Sequence, residues 1–219
     1  MALSVAQLAE RLGVSPSRAR NLVARGMIKA ERVGNHWVVD ESEVAKYQPR
    51  AGRPLSGMNA WRIANYAADG HIADIHPMEK SRLRRHLVSL LEAPDPASKI
   101  RSLLAERAEK FEFSSSPADL ADLREDERIK LSGVSHPASG LLSNSELEAY
   151  VSRKDFEAVI KDWFLVKARA GQRANVLLHV AEEIPDELPP LVVAADLAER
   201  PGVREQQAAR EIIGGIHSD

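Results

Sequence analysis

A chain of 219 residues that has no cysteine, with 44% hydrophobic and 28% charged residues, excludes a disulfide scaffold, thiolate chemistry and most structural zinc sites. Its length suits one large or two to three small domains, and without a run of about eighteen apolar residues or a basic-then-apolar leader the expected location is the cytoplasm, off the membrane. The net charge of −2 hides an asymmetry: residues 1–53 carry nine Lys+Arg against five Asp+Glu (net +4), 54–110 nine against seven (net +2), and 111–219 twelve against twenty (net −8), so the basic front suits nucleic acid and the acidic back some other partner.

In chain order, Val5, Leu8, Ala9 and Leu12 fall at i, i+3, i+4 and i+7, one apolar stripe of a helix, with Ser4 as its N-cap. Gly13-Val14-Ser15 stops that helix, and Ser15 caps a second one whose first residue, Pro16, needs no N–H there. Ala19, Leu22 and Val23 give the second helix one apolar side, and Gly26 ends it. Two short helices joined by a turn with Gly form a helix-turn-helix. Lys29–Val33 and His36–Val39 then read as two short strands closed by Gly34-Asn35 into a hairpin, a wing, and Asp40 caps a closing helix through Glu43, Val44 and Tyr47. Trp37 alternates with Val39 and is expected in the small core.

This stretch, VAQLAERLGVSPSRARNLVARGMIKAERVGNHWVVDESEVAKY, resembles the excisionase and MerR-like winged helix-turn-helix domains over about the first 48 residues. The resemblance implies duplex DNA, an operator, as a partner. Helix geometry selects the reading face: at 100° per residue, Ser17, Arg20, Asn21 and Ala24 lie opposite the apolar side. Arg pairs with guanine, Asn with adenine and Ala with the thymine methyl, so Arg20, Asn21 and Ala24 are the expected base readers. Arg18 and Arg25 flank them as expected phosphate contacts, Ser15 is a further candidate DNA contact, and Arg32, Asn35 and His36 of the wing are candidates for the backbone or the minor groove. A homodimer on DNA is expected from the gain of linked half-sites.

Residues 49–55 read as a linker. Its Gly52-Arg53-Pro54 core resembles the centre of AT-hook segments, which adds Arg50 and Arg53 as candidate minor-groove contacts, with a plain tether as the other reading. Residues 56–110 read as a helical segment of three helices, opened by Ser56, Pro77 and Asp95-Pro96. Arg82, Arg84 and Arg85 cluster on the second of these, either as a phosphate holder or as a solvated face. His71, Asp74 and His76 show no metal-ligand spacing, and no metal is expected.

Residues 111–219 read as a mixed α/β domain. Expected are strands at 110–114, 128–134, 146–151 and 174–180, a helix opened by Ser116-Pro117 and another at 155–164, a buried strand at 191–195 and a last helix at 203–213. The expected class is α+β: a winged helix-turn-helix at 1–48, the helical segment and this domain. The ending, LVVAADLAERPGVREQQAAREII, is similar to the C-terminal region of AbiE-type abortive-infection antitoxins, in which a strand ending in Asp-Leu leads to an Ala-rich helix. The matching positions are Val192, Val193, Asp196, Leu197, Arg204, Ala208, Ala209 and Ile212. That resemblance implies a cognate toxin protein, nucleotidyltransferase-like, as partner.

No Gly-rich phosphate loop, Gly-x-Ser-x-Gly elbow or His-Glu-x-x-His motif occurs, so neither an enzyme nor a cofactor is expected, and Asp196 reads as a helix N-cap. The expected function is a DNA-binding antitoxin that represses its own operon and neutralises its toxin, with a MerR-like regulator carrying a ligand-sensing C-terminal domain as the alternative.

Overall fold

The computed structural model describes residues 2–34, 36–47, 53–70, 75–141, 143–169 and 174–216. The fold is α+β, and the chain divides into two units, Met1–Pro49 with Ala168–Arg173, and Arg50–Lys167 with Ala174–Asp219.

In the first unit Ser4 opens α1 (Val5–Leu12) with a capping box: its hydroxyl accepts from the Gln7 amide and the Gln7 side chain accepts from the Ser4 amide. Gly13 takes a left-handed φ of 63°, which reverses the chain within a few residues, and the Ser15 hydroxyl accepts from the Arg18 amide at 3.2 Å to start α2 (Pro16–Ala24). The wing follows as β2 (Ala30–Val33) and β3 (His36–Asp40), and Asp40 caps α3 (Glu41–Lys46). One strand escapes the periodicity: β1 (Ala2–Ser4) pairs antiparallel with β3, making a three-stranded sheet of order β1-β3-β2. Leu8, Ala19, Leu22, Val23, Ile28 and Val39 fill the core, with Trp37 half-buried against it. Each buried Leu there contributes about 1.5–3 kcal/mol, which is how so short a segment holds its shape.

The second unit is built on a five-stranded sheet of order β5-β6-β8-β4-β7, formed by β4 (Glu109–Ser114), β5 (Ile129–Leu131), β6 (Leu147–Ser152), β7 (Val166–Lys167) and β8 (Val176–Ala181). β6 and β8 run parallel and the other pairs antiparallel. Strand alternation gives the sheet two different faces. Leu147, Ala149 and Val151 of β6 and Val176, Leu178 and Val180 of β8 pack with Leu120 and Leu123 of α7 (Leu120–Arg124) and Phe156 and Val159 of α8 (Phe156–Asp162). The intervening residues, Glu148 and Tyr150 of β6 and His179 of β8, lie on the other face, where Tyr150 opposes His179 in register.

That second face is covered by helices. α4 (Gly57–Asp69), α5 (Pro77–Leu91) and α6 (Pro96–Leu103) share one hydrophobic cluster with α9 (Pro190–Glu199) and α10 (Val203–Gly214). One core thus runs across the boundary near residue 110, joining residues 55–104 with 134–213, while the core on the opposite face comes from residues 113–180 alone. Leu55 is buried in the same cluster, and its amide donates to the Leu103 carbonyl at 2.9 Å, so the expected linker has ended by this residue.

The expected strand at 191–195 is a helix. Pro190 supplies the first turn of α9, and Leu191 through Ala198 are all buried. A continuous apolar run looks the same in a buried strand and in a helix enclosed on every side, and here the ten-residue length and the opening Pro favour the helix. Asp196 consequently lies inside α9 and is not its N-cap, a position held by Pro189. At 128–134 only Ile129–Leu131 is strand; Gly133–Ser135 turns as a short 3-10 helix.

Candidate nucleic-acid interface and a buried ion-pair network

α2 buries Ala19, Leu22 and Val23 and exposes Ser17, Arg18, Arg20, Asn21, Ala24 and Arg25, so the face selected by helix geometry is the solvent face. Ser15 is exposed at the N-cap, where its oxygen is occupied by the Arg18 amide while its O–H remains a donor. No acidic side chain interrupts α2, whereas Arg11 of α1 is paired with Glu41 of α3. In the wing, Arg32 and His36 are exposed, and Val33 at the hairpin end is 61% exposed. The hairpin reverses at Gly34, φ 60°. Of the remaining expected contacts, Arg53 is exposed but groups with the second unit, and Asn35 and Arg50 lie outside the described residues, as do His71 and Asp74.

The polar residues of the covered sheet face form a network that the motif reading misses. Arg107, buried just after α6, donates from Nε to Tyr150 Oη at 2.9 Å and to Asp196 Oδ1 at 3.1 Å. From one terminal nitrogen it donates to the Leu104 carbonyl and to Glu199 Oε1, both at 2.9 Å, and from the other again to Asp196. Asp196 and Glu199, one turn apart on α9, thus grip one guanidinium, and Lys110 also pairs with Glu199. The second oxygen of Asp196 accepts from the Ser132 hydroxyl. Beside it, Glu148 Oε1 lies 3.0 Å from His179 Nε2, and its Oε2 accepts from Arg200 Nε at 2.8 Å, while Arg200 also reaches Glu146 at 2.7 Å. Gly133, φ 49°, lets the chain pass over this carboxylate: a Cβ there would collide with it. Tyr150 stacks on His179 with ring centroids 4.8 Å apart and meets Trp61 edge-on at 5.6 Å.

Charge states follow from these contacts. Burial by itself favours a neutral Arg107, but the Asp196 carboxylate outweighs it and the pKa is raised. Burial likewise pushes the Tyr150 phenol well above its ordinary value, so it stays a donor. For Glu148 burial acts upward, yet the hydrogen bond from His179 and the charge of Arg200 hold the carboxyl well below the usual range.

Glu148, His179 and Asp196 could each offer one ligand atom to a metal ion, the three atoms lying within 4.8 Å of one another. The chemistry opposes it: both Asp196 oxygens and both Glu148 oxygens are already engaged, and the guanidiniums of Arg107 and Arg200 supply the positive charge a metal would bring. Sequence signals for the network did exist. Glu148 and His179 interrupt otherwise apolar strands, and a polar residue in such a run needs a buried partner.

A protein-family model described as "Helix-turn-helix domain" matches residues 2–50, the stretch whose geometry has just been given. No curated protein and no solved structure matches the chain.

Proposed function

We propose that the protein is a DNA-binding transcriptional regulator that reads duplex DNA with α2 and holds the backbone with its wing. The observation that carries this reading is the solvent face of α2, where Arg20, Asn21 and Ala24 are exposed between Arg18 and Arg25 with no acidic residue on the helix. On a site obtained by selection from genomic fragments, Arg20→Ala or Asn21→Ala costs about 1–3 kcal/mol and leaves random DNA almost unaffected, because a lost base contact removes specificity. Arg18→Ala weakens both DNAs and flattens the salt dependence by about one phosphate contact. Identical behaviour of the Arg20 and Arg18 variants on the two DNAs at two salt concentrations would sink the assignment.

The finer reading is an antitoxin that represses its own operon and neutralises a nucleotidyltransferase-like toxin, without enzymatic activity of its own. It is supported by the net −8 of residues 111–219 and by the similarity of Val192–Ile212 to AbiE-type antitoxins, a similarity now weaker because the segment expected as a strand is α9. The alternative, a regulator with a ligand-sensing C-terminal domain, has a cavity of about 390 Å³ in its favour, but Glu146, Arg204 and Glu205 on its wall suit it poorly to an apolar effector. Co-expression with the adjacent gene decides: growth rescue and co-purification support the antitoxin, and a well-folded chain that does neither removes it.

A further inference from the structure

α5 is the most basic element of the second unit. Over Pro77–Leu91 it carries Lys80, Arg82, Arg84 and Arg85 against Glu79, while residues 54–110 as a whole reach only net +2 and residues 111–219 are net −8. Leu83, Leu87 and Leu90 fix its buried side, which turns Arg82, Arg85 and Ser89 outward along a line on the order of 10 Å at 1.5 Å per residue. At the end of that line Lys99, from α6, donates to the Ser89 carbonyl at 2.6 Å and to its hydroxyl at 2.5 Å, so a third cation is held in place from a second helix.

Among the described residues, few carboxylates could neutralise this row. Glu79 comes no closer to Arg82 than 3.8 Å and is shared with Arg62 at 3.6 Å, and among the described residues Arg85 makes no ion pair. The cations are close enough to act on one another: His86, between them, has its pKa lowered by burial first and then by Arg82, Arg85 and Lys99. Like charges converging in an otherwise acidic unit cost energy that an anion would return. The spacing, with Ser89 between Arg85 and Lys99, suits oxygens repeated along a strand.

We propose that the outward face of α5, through Arg82, Arg85 and Lys99, binds the phosphate backbone of duplex DNA as a second, sequence-independent contact. The inference rests on the reading of the protein as a DNA binder. Each neutralised phosphate contributes about 0.9 to the slope of log affinity against log salt. In full-length protein Arg82→Gln/Arg85→Gln therefore lowers that slope by about 1–2 on a duplex of random sequence, Arg82→Lys/Arg85→Lys retains most of it, and thermal unfolding is unchanged because both side chains are exposed. The measurement is fluorescence anisotropy over a salt series, with Arg18→Ala as the control at the helix-turn-helix. If Arg18→Ala lowers the slope while the double Gln variant matches the wild type, the face of α5 serves something other than nucleic acid and the inference is overturned while the regulator reading stands. If the wild type binds no duplex at any salt, the regulator reading fails and takes this one with it.

Discussion

Asp196→Asn removes one buried charge with almost no change of shape, and the network lets its effect be worked out. Arg107 would keep the Leu104 carbonyl, Tyr150 and Glu199 at 2.9 Å, but would lose its main counter-ion from a site with no side-chain exposure. Breaking a buried pair by removing one partner costs about 3–5 kcal/mol, and the surviving Glu199 puts the expected loss near the lower end, about 3 kcal/mol. For a unit of this size that lowers the melting temperature by roughly 6–12 °C, at about 2–4 °C per kcal/mol. Arg107→Met/Asp196→Leu removes both charges together and leaves the hydroxyls of Tyr150 and Ser132 without these partners, at about 1 kcal/mol each. The double variant should therefore be more stable than the sum of its singles predicts, by about 2 kcal/mol or more. Urea unfolding followed by fluorescence in a Trp37→Phe background reports the second unit through Trp163 and Trp61, the latter with its indole donating to the Arg107 carbonyl at 2.9 Å. Asp196→Asn within about 1 kcal/mol of the wild type, or additive singles, would refute the view that the charges are mutually dependent.

The other predictions concern acid and strain. Because the folded Glu148 carboxyl titrates below its ordinary 4.5, its contribution is fully present above that value and is lost as pH falls through the lower folded pKa. Urea midpoints of Glu148→Gln should therefore fall less steeply than those of the wild type as the pH is lowered from about 5 to 3; parallel curves would mean that Glu148 is not held ionised. Phe164, at φ 49° just after α8, occupies a left-handed position and is 85% exposed, so the ring gains little burial to offset its strain. Phe164→Gly should raise stability by about 0.5–1 kcal/mol, the left-handed penalty less the extra entropy of Gly, and a destabilised variant would show the ring packs in solution.

What was legible in the sequence was local. Caps, turns and apolar stripes act within about seven residues, so Ser4, Gly13, Ser15 and Pro16 announced the two N-terminal helices, and the solvent face of α2 followed from the positions of Ala19, Leu22 and Val23. β1 was missed because three residues carry no readable alternation, and its strand character comes from pairing with β3, some 36 residues away at Leu3↔Val39. α9 was misread for a related reason: burial on every side erases the period that distinguishes helix from strand.

The network was the least legible part, because Arg107 lies 43 residues from Tyr150 and 89 from Asp196. Only the parallel pairing of β6 with β8, and the packing of α9 in one cluster with Tyr150, brings these groups together. Each member alone has an ordinary explanation, Asp196 as a cap and His179 as an isolated histidine. What could have been inferred is a constraint: Glu148 in Leu147–Ser152 and His179 in Val176–Ala181 sit in strands too apolar to be exposed, so each required a buried partner of complementary charge or hydrogen-bonding capacity. The same reasoning separates the two kinds of site. Among the described residues no hydrogen bond or ion pair engages the side chains of Arg18, Arg20 and Arg25 on the solvent face of α2, whereas Arg107 has spent its donors inside the fold. Substitutions on α2 should therefore change affinity without changing stability, and substitutions in the network should do the reverse.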